Sequence, residues 1–362
     1  PLGRSERRVR AVAPVIRGLL LALPFLVVFA AVFAAADAVF AKLLADLLRI
    51  DIDLGDLPGR LVFAAVTAWL AGGALLISAW AGEREIPPDP VAMEASLPKP
   101  RLGSVEAVVL LLAVDLLFAA FVLVQAAYLF GGRDTLEATG LTYSAYARRG
   151  FFELLFAAGL VGALLLGVEA TIGARPRRYL TAALVLVVLT AVVLASATLR
   201  LRLYQEAYGW TELRFYALAA ICWLLLALGG GGALLLLRRT RWVVHLLLVA
   251  GLAVAAACNV IGPQAFVTSQ NLARALDPRL VPPGGETGLD ARYLLGLADD
   301  AVPPLVAALP HLSDPQRELV VAELERRGEE LAADRAAGWP SWNLARERAR
   351  NALESTAETL RR

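Results

Sequence analysis

Seven apolar runs, each about 20 residues or longer, fill the first 262 residues, and this pattern restricts the fold to helices in a lipid environment. A backbone in hydrocarbon has no water to bond. Each run must therefore satisfy its own N–H and C=O groups, which a helix does within one segment. The runs place spans near 18–40, 61–81, 106–130, 151–172, 179–199, 214–237 and 242–262. At a rise of about 1.5 Å per residue, each covers the roughly 30 Å of a hydrocarbon core. The expected fold class is all-α: a polytopic bundle of about seven spans with a small C-terminal helical domain. Three parts follow: a basic cytoplasmic segment over 1–17, a membrane domain over 18–262, and an extracytoplasmic helical tail over 263–362.

Composition agrees. Hydrophobic residues make up 58% of the chain, more than a soluble domain of this size buries in one core, so the lipid bilayer is the first partner expected. Beyond residue 262 there are 12 basic and 15 acidic residues, and a nucleic-acid partner has no electrostatic support. Cys222 and Cys258 both lie within apolar runs, where they act as small hydrophobes rather than as a disulfide or metal pair. The chain opens on Pro1 and its one methionine is Met93, so a start upstream is expected. Arg4 to Arg17 followed by an apolar run resembles a signal peptide, but the run is too long, and an uncleaved first span is the better reading.

Short connections carry Arg175, Arg177 and Arg178 between spans 4 and 5, and Arg238, Arg239 and Arg241 between spans 6 and 7. Short basic loops stay in the cytoplasm. Lys and Arg on the side shared by the N-terminus and these loops number 14, against 9 on the other side with the tail left out. This expects the N-terminus inside and the tail outside, in a bacterial inner membrane. A re-entrant span would put the tail on the other side. The tail itself reads as helices over 289–297 and 301–309, a longer one after Ser313, and a last one after Ser341. Ser313 and Gln316 have capping-box spacing.

Several strings are distinctive. They include Ala36-Asp37-Ala-Val-Phe40, the run from Thr142 to Leu154 with Tyr-Ala-Arg-Arg-Gly inside it, and the run from Arg202 to Arg214 with Leu-Tyr-Gln-Glu-Ala-Tyr-Gly. Asn271-Leu-Ala-Arg274, Asp290-Ala-Arg-Tyr-Leu294, Asp300-Ala-Val-Pro303 and the run from Trp342 to Arg350 complete the set. Together they resemble the bacterial multi-span family described as domain of unknown function 4173, a relative of family 4153. The resemblance implies an inner-membrane location and supplies neither an activity nor site residues.

Candidate residues come from placement. Tyr143, Tyr146, Tyr204 and Tyr208 fall in segments expected outside, Tyr128 and Tyr216 lie at outer span ends, Tyr293 is in the tail, and Tyr179 alone is inner. An aromatic belt would mark both interfaces, so the one-sided crowd points either to loop packing or to a ligand surface. Tyr146, Arg149 and Glu153 share a helix face by three-then-four spacing, as do Arg200, Tyr204 and Tyr208 by fours. Arg202 with Glu206 forms a further pair, and Arg214 begins the next span. With Asn271, these residues form either a structural network or a binding pocket. Asp115 lies near the middle of span 3, where an ionised carboxylate costs at least a few kcal/mol, so it must face protein or water. Asp37, Glu169 and His245 lie nearer span ends and are expected at the headgroups. Gly229 to Gly232 interrupt span 6, and Asn259, Gly262 and Pro263 close span 7, by a packing need or as a substrate site. Asp51 and Asp53 are a weak candidate for a divalent metal, and no resident metal or cofactor is expected.

The sequence contains no phosphate loop, no His-Glu-x-x-His, no Cys-x-x-Cys and no Gly-x-Ser-x-Gly, and its histidines are His245 and His311 alone. Soluble-type nucleotide, zinc and serine-hydrolase chemistry have no support. The reading that follows is a non-enzymatic sensor or scaffold binding an envelope component or a partner protein at its outer face. The alternatives are a transporter or lipid translocator using Asp115 and interrupted spans 6 and 7, and an envelope glycosyltransferase using the acidic loop.

Overall fold

The computed structural model describes residues 4–48, 102–137, 150–282, 285–336 and 343–360. Regular structure among them is helical, apart from one parallel bridge between Leu102 and Ile172. The protein is an all-α polytopic bundle. Its elements are α1 (Arg4–Ala36), α2 (Ala38–Leu48), α3 (Ser104–Glu137), α4 (Phe151–Thr171), α5 (Arg177–Tyr208) and α6 (Glu212–Leu236). Then come α7 (Val243–Ile261), α8 (Pro263–Leu276), α9 (Ala291–Leu295), α10 (Val302–Ala308), α11 (Asp314–Ala336) and α12 (Leu344–Leu360).

Six helices among the described residues are long and apolar enough to cross a bilayer: Val12–Ala36, Ser104–Ala126, Phe151–Thr171, Arg177–Tyr208, Glu212–Leu236 and Thr240–Ile261. The expected span at 61–81 lies outside the described residues. The first span ends earlier than its apolar run, because Asp37 stops the helix. Its carboxylate accepts the N–H groups of Val39 (3.1 Å) and Phe40 (3.2 Å), capping α2. Far from facing headgroups, Asp37 is buried at 3% exposure. The expected interruption at Gly229–Gly232 is also corrected. There α6 runs on as helix, with Gly230 against Leu246 and Gly232 beside Leu184 and Val187, so these glycines serve close packing.

Contacts divide the chain into two compact groups, Pro1–Thr198 with Leu224–Leu246, and Leu199–Trp223 with Leu247–Arg362. In the first group α1 and α3 run parallel: Gly18 meets Val109, Phe29 meets Phe118 and Phe33 meets Phe121. A Cβ on Gly18 would come within 2.8 Å of the Val109 Cβ, so only glycine permits this approach. Phe33 stacks on Phe121 at 4.0 Å between centroids and meets Phe118 and Phe40 edge-on, a ring cluster that fills the space between the helices.

The same group gathers its basic connections at one end. Leu102 donates its N–H to Thr171 O (2.9 Å), which brings the start of α3 to the end of α4. Tyr179 donates to Glu169 (2.9 Å) and Arg175 pairs with the same carboxylate at 2.5 Å, folding the start of α5 back on α4. Gly232 beside Leu184 adds the end of α6, and with it Arg238, Arg239 and Arg241. Glu169 is thus held in a local pair with Arg175 and Tyr179, and His245 is exposed beside Trp242 at 5.0 Å.

The second group has its own apolar core. Val267 and Leu272 of α8 pack with Leu294, Val302, Leu305 and Leu324 of the tail helices. Arg327 is buried with them and donates to the carbonyls of Leu295, Leu297 and Ala298 while pairing with Glu323. One guanidinium thus serves the carbonyls of Leu295 and Leu297 and adds a second donor to Ala298 O, which also accepts the Ala301 N–H (3.0 Å). Asp290 and Asn343 cap α9 and α12. Ser313 and Gln316 bond to each other at 2.9 Å.

Candidate functional site

Helix α5 ends at Tyr208, and the next helix starts at Glu212. The last four carbonyls of a helix have no partner within it, and the first N–H groups of the next are equally unpaired. In this chain each terminal carbonyl of α5 has a donor. Gln205 O accepts the Gly209 N–H (2.8 Å), Glu206 O accepts Arg274 (2.7 Å), and Ala207 O accepts both Arg274 (3.2 Å) and the Glu286 N–H (2.9 Å). Tyr208 O accepts Arg214 (3.3 Å), whose guanidinium also bonds Gly209 O and lies 3.9 Å over the Tyr204 ring. Two arginines at a helix C-terminus also oppose its partial negative charge.

The turn is held as firmly as the helix end. Asn271 of α8 accepts the Trp210 N–H at 2.7 Å and returns its own amide N–H to Trp210 O at 2.8 Å. A side-chain amide so placed acts as a strand would, pairing both groups of one residue. Gly209 lies at φ +79°, and a Cβ there would come within 2.6 Å of the Asn271 Oδ1, so glycine is required on both counts. On the far side of the turn, Thr211 Oγ1 accepts the Arg214 N–H (3.3 Å) and Tyr293 Oη accepts the Glu212 N–H (2.9 Å). Gln264 donates to the Glu212 carboxylate (3.0 Å) and accepts the Ala298 N–H (3.0 Å), joining α6, α8 and the tail.

Electrostatics follow from this crowding. Burial lowers the Arg274 pKa from its ordinary value, and the Arg214 charge lowers it further against the opposing Glu286. Burial raises the Tyr293 pKa, so its hydroxyl stays protonated. These groups hold backbone. The arrangement positions a turn and offers no nucleophile beside a base.

Of the residues expected here, Tyr204, Tyr208, Arg214 and Asn271 meet at the α5–α6 turn. Arg200 is fully buried one turn further back, whereas Arg202 and Glu206 are exposed. Glu153 lies in the first turn of α4, half-buried. Tyr146, Arg149, Asp51 and Asp53 lie outside the described residues. Asn259 is exposed and donates to Ala255 O of its own helix. Asp115 is buried at 6% exposure in α3, and neither carboxylate oxygen has a hydrogen-bond partner among the described residues. Sequence reading passed over Gln264, Thr211, Arg274 and Arg327. The signal for the first was spacing, since Gln264, Asn271 and Arg274 lie seven and three apart on one helical face.

A family model described as a domain of unknown function, DUF4153, matches residues 2–308. The chain belongs to this family. The match is to the relative named alongside family 4173 rather than to 4173 itself. As a DUF4153 member the chain is a multi-pass membrane protein whose matched region takes in all six candidate spans, the α5–α6 turn and Asn271. No curated protein and no solved structure matches it.

Proposed function

We propose that this DUF4153 protein is a non-enzymatic scaffold or sensor of a bacterial inner membrane, with its N-terminus inside and its tail outside. The tail receives an envelope component or a partner protein. What supports the reading is the bonding of the α5–α6 turn, where two membrane helices end, to α8 and to tail residues Glu286 and Tyr293. Tail and helix ends therefore form one body, and a load on the tail acts directly on α5 and α6. The transport reading is less well served. Its carboxylate, Asp115, has both oxygens sealed within the protein, and α6 has no break to line a substrate path.

The test uses a photo-crosslinking residue at Leu319, which is 59% exposed on α11. A discrete envelope or protein adduct formed in cells is the expected result. Labelling of Leu319→Cys by an impermeant maleimide, in a background lacking Cys222 and Cys258, reports the side. Reaction only after the membrane is opened overturns the proposed orientation, and the lack of any discrete adduct overturns the scaffold reading.

A further inference from the structure

Between α3 and α5 runs a groove of about 650 Å³, within the roughly 300–1,000 Å³ of ligand sites. Its walls include Leu112, Leu116 and Val185, which are exposed at 54%, 74% and 42%, so the groove opens sideways toward lipid. Arg177 and Arg178 line one end, at the basic end of the first group where α3 and α5 both begin. Deeper in, the buried Asp115 borders the same groove, its oxygens sealed from it and without a partner among the described residues. An apolar trough with two cations at one end is complementary to an amphiphile with an anionic head and an apolar chain.

We propose that the groove is a binding site for an anionic glycerophospholipid of the surrounding bilayer. Its phosphate pairs with Arg177 and Arg178, and its acyl chain lies along Leu112, Leu116 and Val185. The specificity comes from charge. A zwitterionic lipid brings its own cation to the arginines, whereas a lipid of net negative charge does not. Free phosphate lacks the chain and gains nothing from the trough.

The experiment uses the full chain in mild detergent and native mass spectrometry with added phosphatidylglycerol, phosphatidylcholine of the same chains, or inorganic phosphate. Phosphatidylglycerol should be retained and the other two not. R177Q/R178Q should weaken retention about ten-fold, the loss of one charge-assisted hydrogen bond or more. V185W, which fills a lipid-facing wall without touching the ring cluster, should abolish retention. R238Q/R239Q removes equal charge from the same end outside the groove and should change nothing. Three results overturn the proposal: equal retention of both lipids, retention by folded V185W, or equal loss from R238Q/R239Q and R177Q/R178Q.

Discussion

Phe33 in the first group and Arg327 in the second are both buried at the centre of their surroundings, yet they hold those surroundings by opposite means. Phe33 packs on the rings of Phe40, Phe118 and Phe121, because α1 and α3 are long helices whose backbone groups are paired internally. Arg327 touches mainly carbonyls, because the tail is built from short helices whose ends and turns leave carbonyls unpaired. The α5–α6 turn follows the second rule, with Arg214, Asn271 and Arg274 in the part of Arg327. Polar residues in this protein gather where helices stop, so a crowd of arginine, asparagine and tyrosine marks helix ends before it marks a ligand.

The comparison breaks most visibly at Arg327. Arg327→Leu leaves the Leu295 and Leu297 carbonyls without their guanidinium donor and takes from Glu323 one of its two arginine partners, which should cost about 3–5 kcal/mol, read as lost amide-exchange protection in α9 to α12 with α1 and α3 unchanged. Phe33→Ala should cost about 3–4 kcal/mol with the reverse pattern, α1 and α3 opening while the tail stays protected. If either substitution loosens both groups equally, the distinction fails. Asn271→Leu removes two hydrogen bonds and leaves the Trp210 groups unpaired, a loss of about 2 kcal/mol confined to the second group and visible in a urea titration followed by tryptophan fluorescence.

The smallest effect is a pH dependence. Hydrogen bonds from Arg326 and Arg327 lower the Glu323 pKa from its ordinary 4.5. A carboxylate depressed on folding stabilises the fold fully above its unfolded pKa and loses that contribution as pH falls through the folded one. Unfolding of the tail should therefore become easier below pH 4.5, by less than about 1 kcal/mol because Arg326 is half exposed. Glu323→Gln should remove the dependence. An unaltered slope in that variant assigns it to another group.

Much of the architecture was legible because lipid imposes it. Apolar runs of sufficient length gave six spans near the positions of the six candidate spans among the described residues, and short arginine-bearing links gave the shared basic end. The break at Asp37 was hidden, since alanine and phenylalanine on both sides continue the apolar pattern and a single carboxylate decides the matter by capping. Helix α8 was missed because Gly262 and Pro263 read as a stop, whereas the helix begins at Pro263, in the first turn where proline is tolerated. The residues of the α5–α6 turn were found as types but not as a mechanism. Which carbonyl a guanidinium reaches depends on chain segments more than 60 residues apart, as between Glu206 and Arg274, and local spacing carries no record of that.

The central claim is that these residues are clamps on backbone. The most direct measurement is hydrogen exchange at the amides of Trp210 and Glu212 in the intact protein and in Asn271→Leu. The account predicts slow exchange at both in the intact protein, and in the variant a joint loss of protection at the turn and in α9 while α3 is unaffected. Fast exchange at Trp210 in the intact protein, or an Asn271→Leu protein fully protected yet unable to bind its partner, would contradict it and make Asn271 part of a binding surface.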